Sequence, residues 1–190
     1  MNDLLKRLGK TLLVVIAVTE VVAFFVLTNR TERRLEPVAP RTPSFRLATN
    51  TAHNDLGRFS FHFPPEWDVA HEEMVSTLKN PGGRAVVALG RAPAGELFGV
   101  TEQVTSRLED TYRDVTQSSN RSTIIDGNLA LVTKGVATNR QGATLRYRIA
   151  VIEGDEKNYA ITAFVLDHAD GDRAHASIGE IIASFEPGAV

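Results

Sequence analysis

An 18-residue run, Thr11 to Thr28 (TLLVVIAVTEVVAFFVLT), carries a single charge and constrains this chain more than any other feature. As a helix it spans about 27 Å, close to the ~30 Å hydrocarbon core of a bilayer. It predicts a transmembrane helix over residues 11–28. That helix is preceded by a short basic tail (1–10) and followed by a spacer (29–44), NRTERRLEPVAPRTPS, whose prolines and mixed charges read as extended and semi-rigid. Two alternatives stand beside it. A buried core helix would not be followed by a basic stretch and a Pro-rich spacer. A cleaved signal peptide shares the basic start at Lys6, Arg7 and Lys10, but no small-x-small site follows Leu27. Basic residues flank both ends, with Arg30, Arg33 and Arg34 on the far side, so the charge rule for orientation nearly cancels. The ten-residue tail favours the N-terminus inside and the remaining chain outside the cytoplasm.

Glu20 lies near the middle of the run, with no Lys, Arg or His elsewhere in residues 11–29 to pair with it. A carboxylate at that depth is protonated, paired or set against a polar interface. Thr19 and Ala23 are small and four residues apart, which lets another helix approach. Thr19, Glu20 and Ala23 are therefore the expected contact with a second copy or a membrane protein, and residues 11–28 the contact with the lipid bilayer.

Residues 45–190 are expected to form one soluble domain, long enough to bury an ordinary core. No cysteine occurs, which excludes disulfides, thiol catalysis and Cys-ligated zinc. Charge is divided unevenly. Residues 1–44 hold seven Lys/Arg against four Asp/Glu, and residues 45–190 hold 14 against 19. An acidic domain without a basic stripe argues against nucleic acid as the expected partner.

Phe59, Phe61 and Phe63 alternate with Ser60 and His62, which predicts a strand with one buried face, stopped by Pro64-Pro65 before Trp67 opens the next. Val75–Leu78 and Ala85–Leu89 flank Asn80-Pro-Gly-Gly83 and read as a hairpin. Leu97, Val100, Val104, Leu108 and Tyr112 recur on one stripe and predict a helix over 95–112. Strands over 122–125, 129–138, 143–152 and 159–166 follow, with short separators that favour antiparallel pairing. Leu145, Tyr147, Ile149 and Val151 share a face opposite Arg146 and Arg148, and strand 159–166 is apolar on both faces. A last helix is expected over 173–184. The order gives an α+β fold, an antiparallel β-sheet flanked by helices. A cystatin- or NTF2-like cone is the competing arrangement.

The run Phe59-Ser-Phe-His-Phe-Pro-Pro-Glu-Trp67 and the ending Ile182-Ala-Ser-Phe185 resemble the opening and close of PsbP/Mog1-like domains. That resemblance implies an antiparallel sheet between helices. It also implies a non-enzymatic accessory role that binds larger assemblies, several members acting on the outer or lumenal side of membranes. It assigns no partner and no site residue.

Catalytic and nucleotide-binding motifs of the GxSxG, HExxH, P-loop and GxGxxG kinds are missing, so no catalytic residue, no enzyme activity and no cofactor is expected. His53 reads as a loop residue and His62 as a solvent-facing strand residue. Asp167, His168, Asp170, Asp172 and His175 form the densest polar cluster and are the weak candidates for a divalent cation. The plainer reading is a solvated loop with Asp172 capping the last helix. The expected function is thus a membrane-tethered, extracytoplasmic interaction domain assisting a membrane or envelope protein. A small-ligand or metal-binding sensor is the alternative, and an unrecognised hydrolase stands third.

Overall fold

The computed structural model describes residues 49–167 and 171–188. The apolar run with Thr19, Glu20 and Ala23, the spacer, and His168 and Asp170 lie outside the described residues. No helix among the described residues is long and apolar enough to cross a membrane.

The chain order is β1 (Asn50–Asn54), β2 (Phe59–Phe63), β3 (Asp68–Glu72), β4 (Val75–Lys79), β5 (Ala85–Arg91), α1 (Leu97–Thr111), β6 (Arg113–Ile125), β7 (Asn128–Thr138), β8 (Thr144–Ile152), β9 (Tyr159–Leu166), α2 (Gly171–Ala183) and β10 (Glu186–Pro187). Strands β3-β4-β5-β9-β8-β7-β6 form a seven-stranded sheet, and β1-β2-β10 form a separate three-stranded one. Every pairing is antiparallel. The β4–β5 turn shows why the local sequence folds so. The Asn80 carboxamide oxygen accepts the backbone N–H groups of Arg84 and Ala85 at 2.8 and 2.9 Å, while Gly83 takes φ 62°.

The large sheet is covered on both faces, which removes the one-sided cone. On one face Val100, Val104 and Leu108 of α1 pack over Leu145, Tyr147, Ile149, Val151 and Phe164. On the other, Ile178, Ile181 and Ile182 of α2 and the aromatic face of β2 pack over Leu78, Leu89, Ile161 and Val165. Strand β9 is therefore buried on both sides, as its apolar run indicated.

Three differences from the sequence expectation have physical causes. Strand β6 begins at Arg113, nine residues before Ser122, because its extra length is held by ladder bonds to β7 and not by burial. A mostly exposed polar edge strand has no apolar alternation to read. Strand β1 was invisible for the same reason, and it places His53 on a strand, exposed. Ser60, expected to face solvent, is buried because β10 lies beside β2; its hydroxyl donates to Glu186 Oε2 at 2.9 Å. His62 does face solvent.

Gly135 sits directly opposite Tyr147. A Cβ there would overlap the Thr116 carbonyl oxygen and the Tyr147 hydroxyl. Gly135→Ala is expected to destabilise the domain by about 1–3 kcal/mol, the usual cost of overpacking. The check is a urea titration, and an unchanged midpoint would mean that β6 moves aside freely.

Candidate functional site: two unlike faces of one sheet wing

Residues opposite one another in an antiparallel pair share a face of the sheet. Applied to β6, β7 and β8, this rule sorts their side chains into two surfaces of opposite charge.

On the α2 side, Arg121 is opposite Val132, and Lys134 is opposite Arg148. Val136 is opposite Arg146. Arg121, Lys134 and Arg146 are exposed and Arg148 is half-buried. Like charges in direct cross-strand opposition cost stability. The cost shows in Lys134, whose ammonium is pushed below its usual pKa, chiefly by Arg148, then by partial burial and by Arg121. Arg146 is offset by Asp167, at 2.8 Å. Arg121, Lys134 and Arg148 make no ion pair among the described residues, and Arg148 Nε is buried without a hydrogen-bond partner.

The polar loop and helix start border this cluster. Asp167 is committed to Arg146. Asp172 is exposed in the first turn of α2. His175 Nε2 is buried without a partner, and the imidazole is held below its usual pKa by desolvation first, then by Arg146 and Arg148, against the opposing pull of Asp172 and Asp167. The structure thus brings Asp167 and His175 to two guanidinium groups. Among the described residues no group of three His, Cys, Asp or Glu converges in the manner of a metal site.

On the α1 side the character reverses. Phe98, Glu102 and Glu109 of α1 face Gln117 and Asn120 of β6 across an open groove of about 450 Å³. The hydroxyls of Thr101 and Thr105 turn back to the carbonyls of Leu97 and Thr101 at 2.7 and 2.9 Å, so this side of the helix satisfies itself. Phe98 is 60% exposed. Ile124 and Leu129, directly opposite on the same face at the β6–β7 turn, are 62% and 45% exposed.

Neither surface was named from sequence. Arg146 and Arg148 were placed on the face opposite Leu145, but their meeting with Lys134 and Arg121 needs the register. The signal was present. A hairpin closed at Asn139–Gly142 sets Lys134 against Arg148 by arithmetic alone. The acidic groove depends on the hidden length of β6.

No family model matches the chain, and no curated protein sequence matches it. Solved structures do. The Ran-binding protein Mog1p of Saccharomyces cerevisiae aligns over 75% of this chain and 97% of its own, with TM-score 0.55 and 10% identity. Cyanobacterial PsbP (CyanoP) of Synechocystis aligns over 80% and 99%, with TM-score 0.54 and 12% identity. A Pseudomonas aeruginosa protein of unknown function aligns over 73% and 96%, with TM-score 0.51 and 15% identity. Identity this low speaks of architecture, and the described domain has the PsbP/Mog1-like fold.

Proposed function

We propose that this protein is a membrane-tethered, non-catalytic accessory module. Residues 11–28 anchor it, the domain stands outside the cytoplasm, and the α1–β6 groove engages a protein of a membrane or envelope complex. The single observation that carries the reading is Phe98, a large aromatic side chain left in solvent in an open groove that Glu102 and Glu109 also line. Exposed aromatics of this kind anchor protein interfaces. Carboxylates around such an anchor select a partner segment that is basic and partly apolar. The fold supports the same class of role, since Mog1p is a Ran-binding protein of this architecture. Glu20 of the anchor would add a contact within the membrane, tuning an association that the groove establishes.

The test is photocrosslinking of the full-length protein in membranes from a probe at Thr105. Phe98→Ala combined with Glu102→Arg alters only exposed side chains. It is expected to reduce the crosslinked product by tenfold or more, roughly the effect of losing one interface hot spot. Unchanged crosslinking would move the contact to another surface.

A further inference from the structure

The cationic face of the same wing is not needed for a groove on the opposite side of the sheet, and it has its own reason to exist. We infer that this face docks on an anionic lipid surface, laying the domain against the membrane that anchors it. The inference rests on the proposed anchor at residues 11–28.

Three observations support a bilayer over an acidic protein. The first is form. Arg121, Lys134 and Arg148 project from three adjacent strands of one sheet face, with Ser119 and Thr123 beside them on β6. They form a broad array across the three strands. A row of lipid phosphates matches such an array better than a single side chain would. The second is sign. Four cations stand against two carboxylates, Asp167, which is paired with Arg146, and Asp172 at the border, in a domain that is acidic as a whole. The spacer brings more cations, Arg30, Arg33, Arg34 and Arg41, so it repels this face and joins it in attracting anionic headgroups. The third is reach. Roughly 20 residues separate Thr28 from Thr49, and an extended chain of that length spans about 70 Å. A domain of this size is about 37 Å across, so the tether lets any of its faces meet the bilayer and holds the encounter at high local concentration. The opposite face carries Glu102 and Glu109 and is repelled by the same lipids. Docking therefore orients the α1 groove away from the membrane.

The absence of cysteine makes a clean experiment possible. A single dye is attached through Thr123→Cys on the cationic face, or through Ser106→Cys on α1. The full-length protein is reconstituted into vesicles of phosphatidylcholine alone, or of phosphatidylcholine with phosphatidylglycerol, and energy transfer to a headgroup acceptor is read. Transfer from Thr123→Cys is expected to rise with phosphatidylglycerol and to fall at high salt, while transfer from Ser106→Cys stays low. Each cation near an anionic surface is worth about a fivefold gain in partitioning. The exposed pair Arg121→Gln and Lys134→Gln should therefore weaken docking about 25-fold, and this pair should leave circular dichroism unchanged. A chain that does not float with phosphatidylcholine vesicles overturns the anchor and the inference together. A chain that floats, but shows equal transfer from Thr123→Cys with and without phosphatidylglycerol, overturns the inference alone. Absence of lipid-dependent transfer, together with binding of soluble polyglutamate that Arg121→Gln and Lys134→Gln abolish, overturns the inference and assigns the face to an acidic protein instead.

Discussion

Phe59→Ala is expected to cost the domain about 3–5 kcal/mol, the range for truncating a fully buried aromatic. Phe59 is completely buried, and its ring meets three others. Phe61 lies at 6.1 Å in the same strand, Tyr159 of β9 at 6.1 Å edge-on, and Phe185 beyond α2 at 5.4 Å. Those partners belong to three different parts of the fold. Phe59 thus joins the three-stranded sheet to the seven-stranded sheet and to the end of α2. Tyr159 and Phe185 also touch, at 5.4 Å, and the Tyr159 hydroxyl donates to the Arg58 carbonyl at 3.0 Å. Alanine leaves a cavity between elements that cannot close without moving all three. Against a total stability of roughly 5–15 kcal/mol for a domain, the loss takes the protein close to its unfolding threshold. Urea titration followed by tryptophan emission reads it. A loss under about 1 kcal/mol would show that the small sheet folds independently of the large one.

Trp67→Ala is expected to have an effect of the same size, about 3–5 kcal/mol, for a different reason. Trp67 is 5% exposed and enters the core on the α2 side of the large sheet. It ends the turn after Pro64-Pro65, its backbone N–H donating to the Pro64 carbonyl at 3.0 Å, so the indole sits where the chain leaves one sheet for the other. It is also the only tryptophan, so wild-type emission should be blue-shifted in the native state and move red on unfolding. The variant is measured by circular dichroism. A loss below about 1 kcal/mol would mean that the indole is exposed in solution, and it would then join Phe98 as a binding anchor.

These two aromatic side chains were legible before any coordinates, and the reason is chemical. Alternation of Phe59, Phe61 and Phe63 with polar residues has one economical solution, a strand with an apolar face. The stripe from Leu97 to Tyr112 is equally unambiguous for a helix. What could not be read was held by partners distant in sequence. Ser60 is buried by Glu186, 126 residues away. Strand β6 exists over Arg113–Ser119 because β7 offers hydrogen bonds, with two shifts of register that no local pattern announces. The candidate surfaces fall in the second class. Charges on exposed strand faces carry no periodic signal of their own, and Lys134 meets Arg148 only once the register is fixed. The polar cluster at Asp167–His175 was conspicuous for the opposite reason, being close in sequence, yet Asp167 turns to Arg146 on a neighbouring strand.

The free side of β6 has a further consequence, for self-recognition. Among the described residues it ends the large sheet with a row of backbone donors and acceptors that no neighbouring strand pairs, the kind of border along which identical molecules join. Its first half is spoiled as a template by the register shifts at Arg113/Thr116 and Gln117/Ser119 and by the left-handed backbone of Asp114 (φ 49°). Its second half, Ser119–Ile125, is regular, and there Arg121 acts as a gatekeeper. Two copies meeting antiparallel about Arg121 would bring each guanidinium against its twin, a juxtaposition that costs stability. The charge we infer to meet anionic lipid on one face of the wing would thereby also keep the border from closing on a copy of itself.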